Sequence, residues 1–168
     1  MRHDGLLLAM IHHDQGDARR INHFLKVYAF AQTIALQEQV DETSLATIEA
    51  TAICHDIGIR TSEQKYGTCT YAMQQSEGAI EARVLLPSLG YPEKMVRRIC
   101  HIISLHHTFE AIDGIDFRIL VEADLLVNLE EKNSDATAVE TMRRQIFRTK
   151  AGLALLDAYL GKRHGDPG

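Results

Sequence analysis

The chain has 168 residues, 45% of them hydrophobic and 24% charged, with a formal net charge of −5. That length suits a single domain with its own core, and the balance is that of a water-soluble globular protein. The negative charge argues against a nucleic-acid polymer as bulk partner, and the odd, widely spaced Cys54, Cys69 and Cys100 argue against a disulfide framework or a zinc ribbon and for a reducing cytoplasm. The apolar run Leu6 to Ile11 is too short for a membrane span, and the His12-His13-Asp14 after it is no leader cleavage site, so no membrane partner is expected.

Helical spacing recurs from end to end, with only three prolines and no useful strand-like alternation. The expectation is an all-α fold, a single-domain helical bundle of about six to eight helices over residues 1–161, with 162–168 as a flexible tail. A first helix is predicted over about Gly5 to Asp14, and a second, capped by Asp17, runs to about Gln39. The second carries two apolar stripes, Ile21, Leu25, Tyr28 and Ala35 on one side and His23, Val27, Phe30 and Ile34 on the other, the mark of a central helix. A third starts within Asp41 to Ser44 and ends near Asp56 or Ile57, with Gly58 as its stop. Residues 58–71 read as a loop. A fourth helix covers about Ala72 to Pro87, a fifth opens at Pro92 and reaches His107, and a sixth spans about Asp116 to Glu131. The final helical region starts at Ser134 or Asp135, breaks near Thr149 and finishes by Gly161.

His55 and Asp56 close the mostly apolar run Ala50-Thr51-Ala52-Ile53-Cys54, where an unpaired charge would cost several kcal/mol, ~3–5 for a broken buried pair. At about 100° per residue they flank the inner stripe Leu45, Ile48, Ala52, and a helix end lets both reach one cation. His23 shares a stripe with Val27, Phe30 and Ile34. Asp124 lies on an apolar face between Leu120 and Val127. His106 falls on the stripe of Met95, Ile99, Ile102 and Ile103, whereas His107 points off it and His101 away. A lone inward histidine is more often a core hydrogen-bonder than a ligand, and a lone buried carboxylate more often pairs an arginine. Together, two histidines and two carboxylates on three helices form an N/O ligand set for a divalent transition metal. Cys54, beside His55, points off the stripe and reads as a small packed residue.

His23, then His55-Asp56, then Asp124 resembles the H…HD…D signature of the HD-domain superfamily of metal-dependent phosphohydrolases. The similarity extends to Ile21-Asn22-His23-Phe24-Leu25-Lys26-Val27, Ala52-Ile53-Cys54-His55-Asp56-Ile57-Gly58 and Glu122-Ala123-Asp124-Leu125-Leu126, and spans about residues 17–130. The resemblance implies an HD-domain-like bundle with one divalent metal (Mn, Fe, Co, Ni or Zn) on His23, His55, Asp56 and Asp124. It also implies hydrolysis of a small phosphate ester, possibly a nucleotide, by a metal-activated water. Asp56 and His106 are the candidate catalytic groups. Arg60, Lys26, Arg19 and Lys65 are candidates for holding the phosphate, with Arg20 beside them.

The pattern departs from two-metal members of that family, which usually carry a histidine in an H-x-x-x-G context; here Gln74 stands in that position, within Gln74-Gln75-Ser76-Glu77-Gly78. A second metal is therefore not expected, and His106, His107, Gln74 and Glu77 remain as second-site or substrate candidates. His106 can join a metal, bind phosphate or act as general acid. Ile59 stands where some nucleotidase-like members have an acidic residue. Two rival readings follow: a non-catalytic nucleotide-binding module with a structural metal, and an iron oxygenase on the same fold, against which Gln74 argues.

Overall fold

The computed structural model describes residues 2–161, and the described residues form helices and turns with no strand. The elements are α1 (Asp4–His13), α2 (Ala18–Gln37), α3 (Glu42–Cys54), α4 (Gly58–Tyr66), α5 (Tyr71–Ser88), α6 (Glu93–Ile103), a short 3-10 turn (Phe109–Ala111), α7 (Ile115–Glu131), α8 (Ala136–Gln145) and α9 (Lys150–Leu160). The protein is all-α, as its periodicity predicts. The tail expected at 162–168 lies outside the described residues.

The starts of the helices follow from capping chemistry. Asp17 accepts from the Arg20 amide, Asp41 from the Thr43 and Ser44 amides, Asp135 from Ala138 and Thr149 from Gly152, each satisfying donors that a helix start leaves unpaired. The Thr149 cap divides the last helical region where the sequence predicts a break.

Two expectations are corrected. Residues 58–66, read as part of a loop, form α4. Gly58 is not a helix stop: a Cβ there would run into the Gly78 amide nitrogen and the Gln74 carbonyl oxygen, so glycine lets the two backbones touch while a new helix begins. The polar residues that suggested a loop are the solvated face of α4, with Gly58 and Ser62 inside, and Gly67, at φ 70°, ends it. The second correction is the end of α6. The helix stops at Ile103, and His106 and His107 stand on the following turn rather than on the helix stripe.

Helix α2 is the central one, packing against both α3 and α7, which also pack on each other. One apolar cluster joins Val27, Ala31 and Ile34 of α2 to Ile48 and Ala52 of α3, Leu120 and Val127 of α7, and Phe147 and Leu156. A second joins Leu6 and Met10 of α1 to Phe24, Ile53, Leu86, Val96, Ile99 and Ile103. Each fully buried Leu or Ile contributes about 2 kcal/mol. Because α2 and α3 feed both clusters, the polar residues they carry are held in a rigid frame. Among the described residues no helix is long and apolar enough to cross a membrane.

Candidate metal centre

His55 is fully buried, and its Nδ1 donates to the Ala52 carbonyl at 2.9 Å. A carbonyl can only accept, so Nδ1 carries a proton and Nε2 is the nitrogen directed inward, able to bind a cation in exchange for its own proton. Nε2 has no hydrogen-bond partner; its neighbours are Asp56 Oδ1 at 3.4 Å and Asp124 Oδ1 at 3.5 Å, ion-pair rather than hydrogen-bond distances. An orphaned ring nitrogen between two carboxylates suits a cation.

His23 on α2 is built alike. Its Nδ1 donates to Glu131 Oε2 at 3.0 Å, and its Nε2 lies 3.1 Å from Asp124 Oδ1 and 3.5 Å from Asp56 Oδ2. Asn128, one turn beyond Asp124 on α7, donates to Asp124 Oδ1 at 2.7 Å. Thus helices α2 and α7 and the turn after α3 bring all four expected ligands together, and Glu131, Asn128 and the Ala52 carbonyl orient three of them from behind, as supporting groups do around metal ligands. One ligand atom each from His23, His55 and Asp56 lies within 4.8 Å of the others.

The electrostatics demand positive charge at the centre. Burial alone would lower the basicity of His55, yet Asp56 and Asp124 outweigh it and raise its pKa to about 9. Burial likewise opposes the charge on His23, and the hydrogen bond that His23 gives to Asp124 reverses it. Burial would raise the pKa of both carboxylates, but the two imidazoles hold them below the usual carboxylate range. Two protons on rings are a poor substitute for one divalent cation, which would discharge both carboxylates and take both Nε2 lone pairs. The residues fit a divalent transition metal on chemical type, tautomer and charge.

The centre opens on a cleft of about 890 Å³. His23, Asp56 and Asp124 line it. Phe109, Leu125, Leu129 and Met142 supply apolar surface, with Thr137 and Thr141 of α8 opposite. Arg19 and Arg20 stand in the wall, Arg20 pairing with Glu63 at 2.5 Å. The other basic candidates face elsewhere. Arg60 donates to the His13 carbonyl at 2.5 Å, Lys26 pairs with Glu130 and Glu131, and Lys65 pairs with Glu77 at 2.6 Å. Glu77 also accepts from the Tyr66 hydroxyl, which occupies it away from the cleft.

His106 is inward, as expected, but it is not placed as a general acid. It is only 2% exposed and does not line the cleft. Its Nδ1 donates to the Ile103 carbonyl at 2.7 Å, and its Nε2 faces the Gln74 side-chain nitrogen at 3.2 Å. Both ring nitrogens are engaged inside the protein, so no N–H is available to a leaving group. His107, expected to point off the inward stripe, does line the cleft, its ring tilted against those of His106 and Tyr71. Cys54 is a packed residue whose thiol donates to the Ala50 carbonyl.

Sequence reasoning did not single out Asn128 and Glu131. The signal was present, because positions 124, 128 and 131 fall on one helix face. The apolar wall carried no such signal, since α8 has no buried residue to mark its inner face.

Comparison with known proteins places this arrangement. The family model for the HD domain matches residues 20–147, and the chain belongs to the HD domain family. The matched span contains His23, His55, Asp56 and Asp124. The fold is similar to the crystal structure of a predicted HD superfamily hydrolase from an uncultured Thermotogales bacterium, with a TM-score of 0.67, 22% identity, and coverage of 94% of this chain and 85% of that one. No curated protein matches the chain.

Proposed function

We propose that this protein is a metal-dependent phosphohydrolase that cleaves a small phosphate ester such as a nucleotide, with His23, His55, Asp56 and Asp124 holding one divalent metal. The observation that carries this reading is the unpartnered His55 Nε2 beside Asp56 and Asp124, two carboxylates that line the cleft. When bound, the metal supplies an acidified water and neutralises charge on the phosphoryl oxygens.

The chain's own residues supply the rest. Arg19 and Arg20 are the guanidinium groups within the cleft and are suited to planar contact with phosphate oxygens. Asp56, with 24% of its side chain exposed against 9% for Asp124, is the more open of the two carboxylates beside His55, and it accepts a proton from the attacking water. Phe109, Leu125, Leu129 and Met142 face the organic part of the ester and exclude water from it.

The test is metal analysis of protein prepared without chelators, followed by assays on nucleoside monophosphates, cyclic nucleotides and sugar phosphates with added Mn, Co, Ni or Zn. Metal-dependent turnover is expected, together with a loss of about 100-fold or more in Asp56→Ala at retained helicity. Absence of turnover with any substrate after metal addition overturns the proposal.

A further inference from the structure

A second group, Asp56, His106 and His107, also brings one potential ligand atom from each residue within 4.8 Å of the others. Asp56 belongs to both groups. The second group differs from the first in one respect: its centre is taken by the side chain of Gln74, which is 5% exposed.

The orientation of that amide follows from its neighbours. Its nitrogen donates to Asp56 Oδ1, and a carboxylate can only accept. The same nitrogen lies 3.2 Å from His106 Nε2, and His106 has already given its Nδ1 proton to the Ile103 carbonyl. His106 Nε2 is therefore an acceptor too. On the other side the Gln74 carbonyl oxygen lies 3.3 Å from His107 Nε2, which donates to it. One amide thus spends both its N–H groups on two atoms able to bind a cation, Asp56 Oδ1 and His106 Nε2, and makes the third, His107 Nε2, a donor. Its backbone is fixed as well, because the Gln74 carbonyl abuts Gly58.

We infer that Gln74 acts as a neutral plug that holds the site to one metal ion, standing where a second cation would bridge from Asp56 to His106 and His107. The inference rests on the proposed reading of the first group as a metal site. An amide suits this role: it offers Asp56 and His106 the hydrogen bonds they would otherwise lack, while its oxygen is a far weaker ligand for a transition metal than imidazole or carboxylate. Gln74 is a positioning residue. It also keeps the His106 lone pair out of the cleft.

The test compares the metal-stripped wild type with Gln74→Glu, which preserves the shape of the side chain but replaces its donors with an anion, and with Gln74→His, which offers a ring nitrogen. Mn²⁺ is titrated calorimetrically, and the loaded proteins are examined by electron paramagnetic resonance. One Mn²⁺ per chain with an uncoupled signal is expected for the wild type. At least one variant is expected to take up one additional ion and to show the signature of a spin-coupled pair sharing Asp56. Two ions in the wild type, or no additional ion in either folded variant, overturns the inference. The plug is read from the difference between variant and wild type, and the first site from the wild-type count itself, so the two readings fail separately.

Discussion

The backbones of Gly58 and Gly78 lie so close that a side chain on Gly58 would strike the Gly78 amide nitrogen and the Gln74 carbonyl oxygen. This contact joins the His55-Asp56 turn directly to α5. Gly58→Ala is expected to destabilise the protein by about 2–3 kcal/mol, since backbone rather than a side-chain tip must yield. Gly78→Ala meets the Ile103 Cγ2 methyl at 2.9 Å, part of a buried side chain that can give only slightly, and should cost about 1–2 kcal/mol. Urea unfolding of the two variants checks the order.

Metal binding should be visible as stability. An ion at ~100 times its dissociation constant adds about 2.7 kcal/mol, which raises the melting temperature of a chain of this size by roughly 5–10 °C. The expected outcome for His55→Ala is loss of that rise, with Mn²⁺ and EDTA giving the same melting curve. A rise equal to that of the wild type would remove His55 from the ligand set.

Outside the site, His13 ties the end of α1 to α5 by contacts of 3.1 Å to Asp14 and to Glu81. Hydrogen bonds to Asp14 and then Glu81 raise its pKa from 6.5 to about 9. The folded value lies above the unfolded one, so the protonated ring contributes its full stabilisation below about pH 6.5 and loses it as the pH rises through about 9. Partial exposure limits the effect to on the order of 1 kcal/mol. Urea midpoints measured from pH 6 to pH 9.5 should fall more steeply for the wild type than for His13→Gln.

Glu122 is fully buried and accepts from the amides of Arg148 and Thr149 and from the Thr149 hydroxyl. It holds the start of α9 against α7. Glu122→Ala leaves those donors without a partner and is expected to cost about 3 kcal/mol, while metal uptake per folded chain stays at the wild-type level because Asp124 lies on another face. Unfolding titrations and metal analysis of the same preparation decide it.

The helices and the convergence of His23, His55, Asp56 and Asp124 were legible because their signals are local or periodic: Asp17, Asp41 and Asp135 mark helix starts, and His23 and Asp124 interrupt apolar stripes. Helix α4 was not, because Gly58 reads the same whether it stops a helix or admits a neighbouring backbone, and only the fold brings Gly78 beside it. Arg60 seemed close to the site by sequence, yet two residues into α4 it turns toward the His13 carbonyl. Burial of Glu122 was equally hidden. It stands two residues before Asp124 in an apolar run, and its partners Arg148 and Thr149 lie more than twenty positions away.

His55 and His106 share a device. Each follows the end of a helix and gives its Nδ1 proton to a carbonyl three residues earlier, Ala52 or Ile103, one of the acceptors a helix end leaves unused. Both rings are therefore aimed by backbone that the apolar core has already set. The rings are set before any ion arrives, so amides around Ala52 and Ile103 should already be strongly protected in the stripped protein, and loading should slow them further only by the stability that the ion adds.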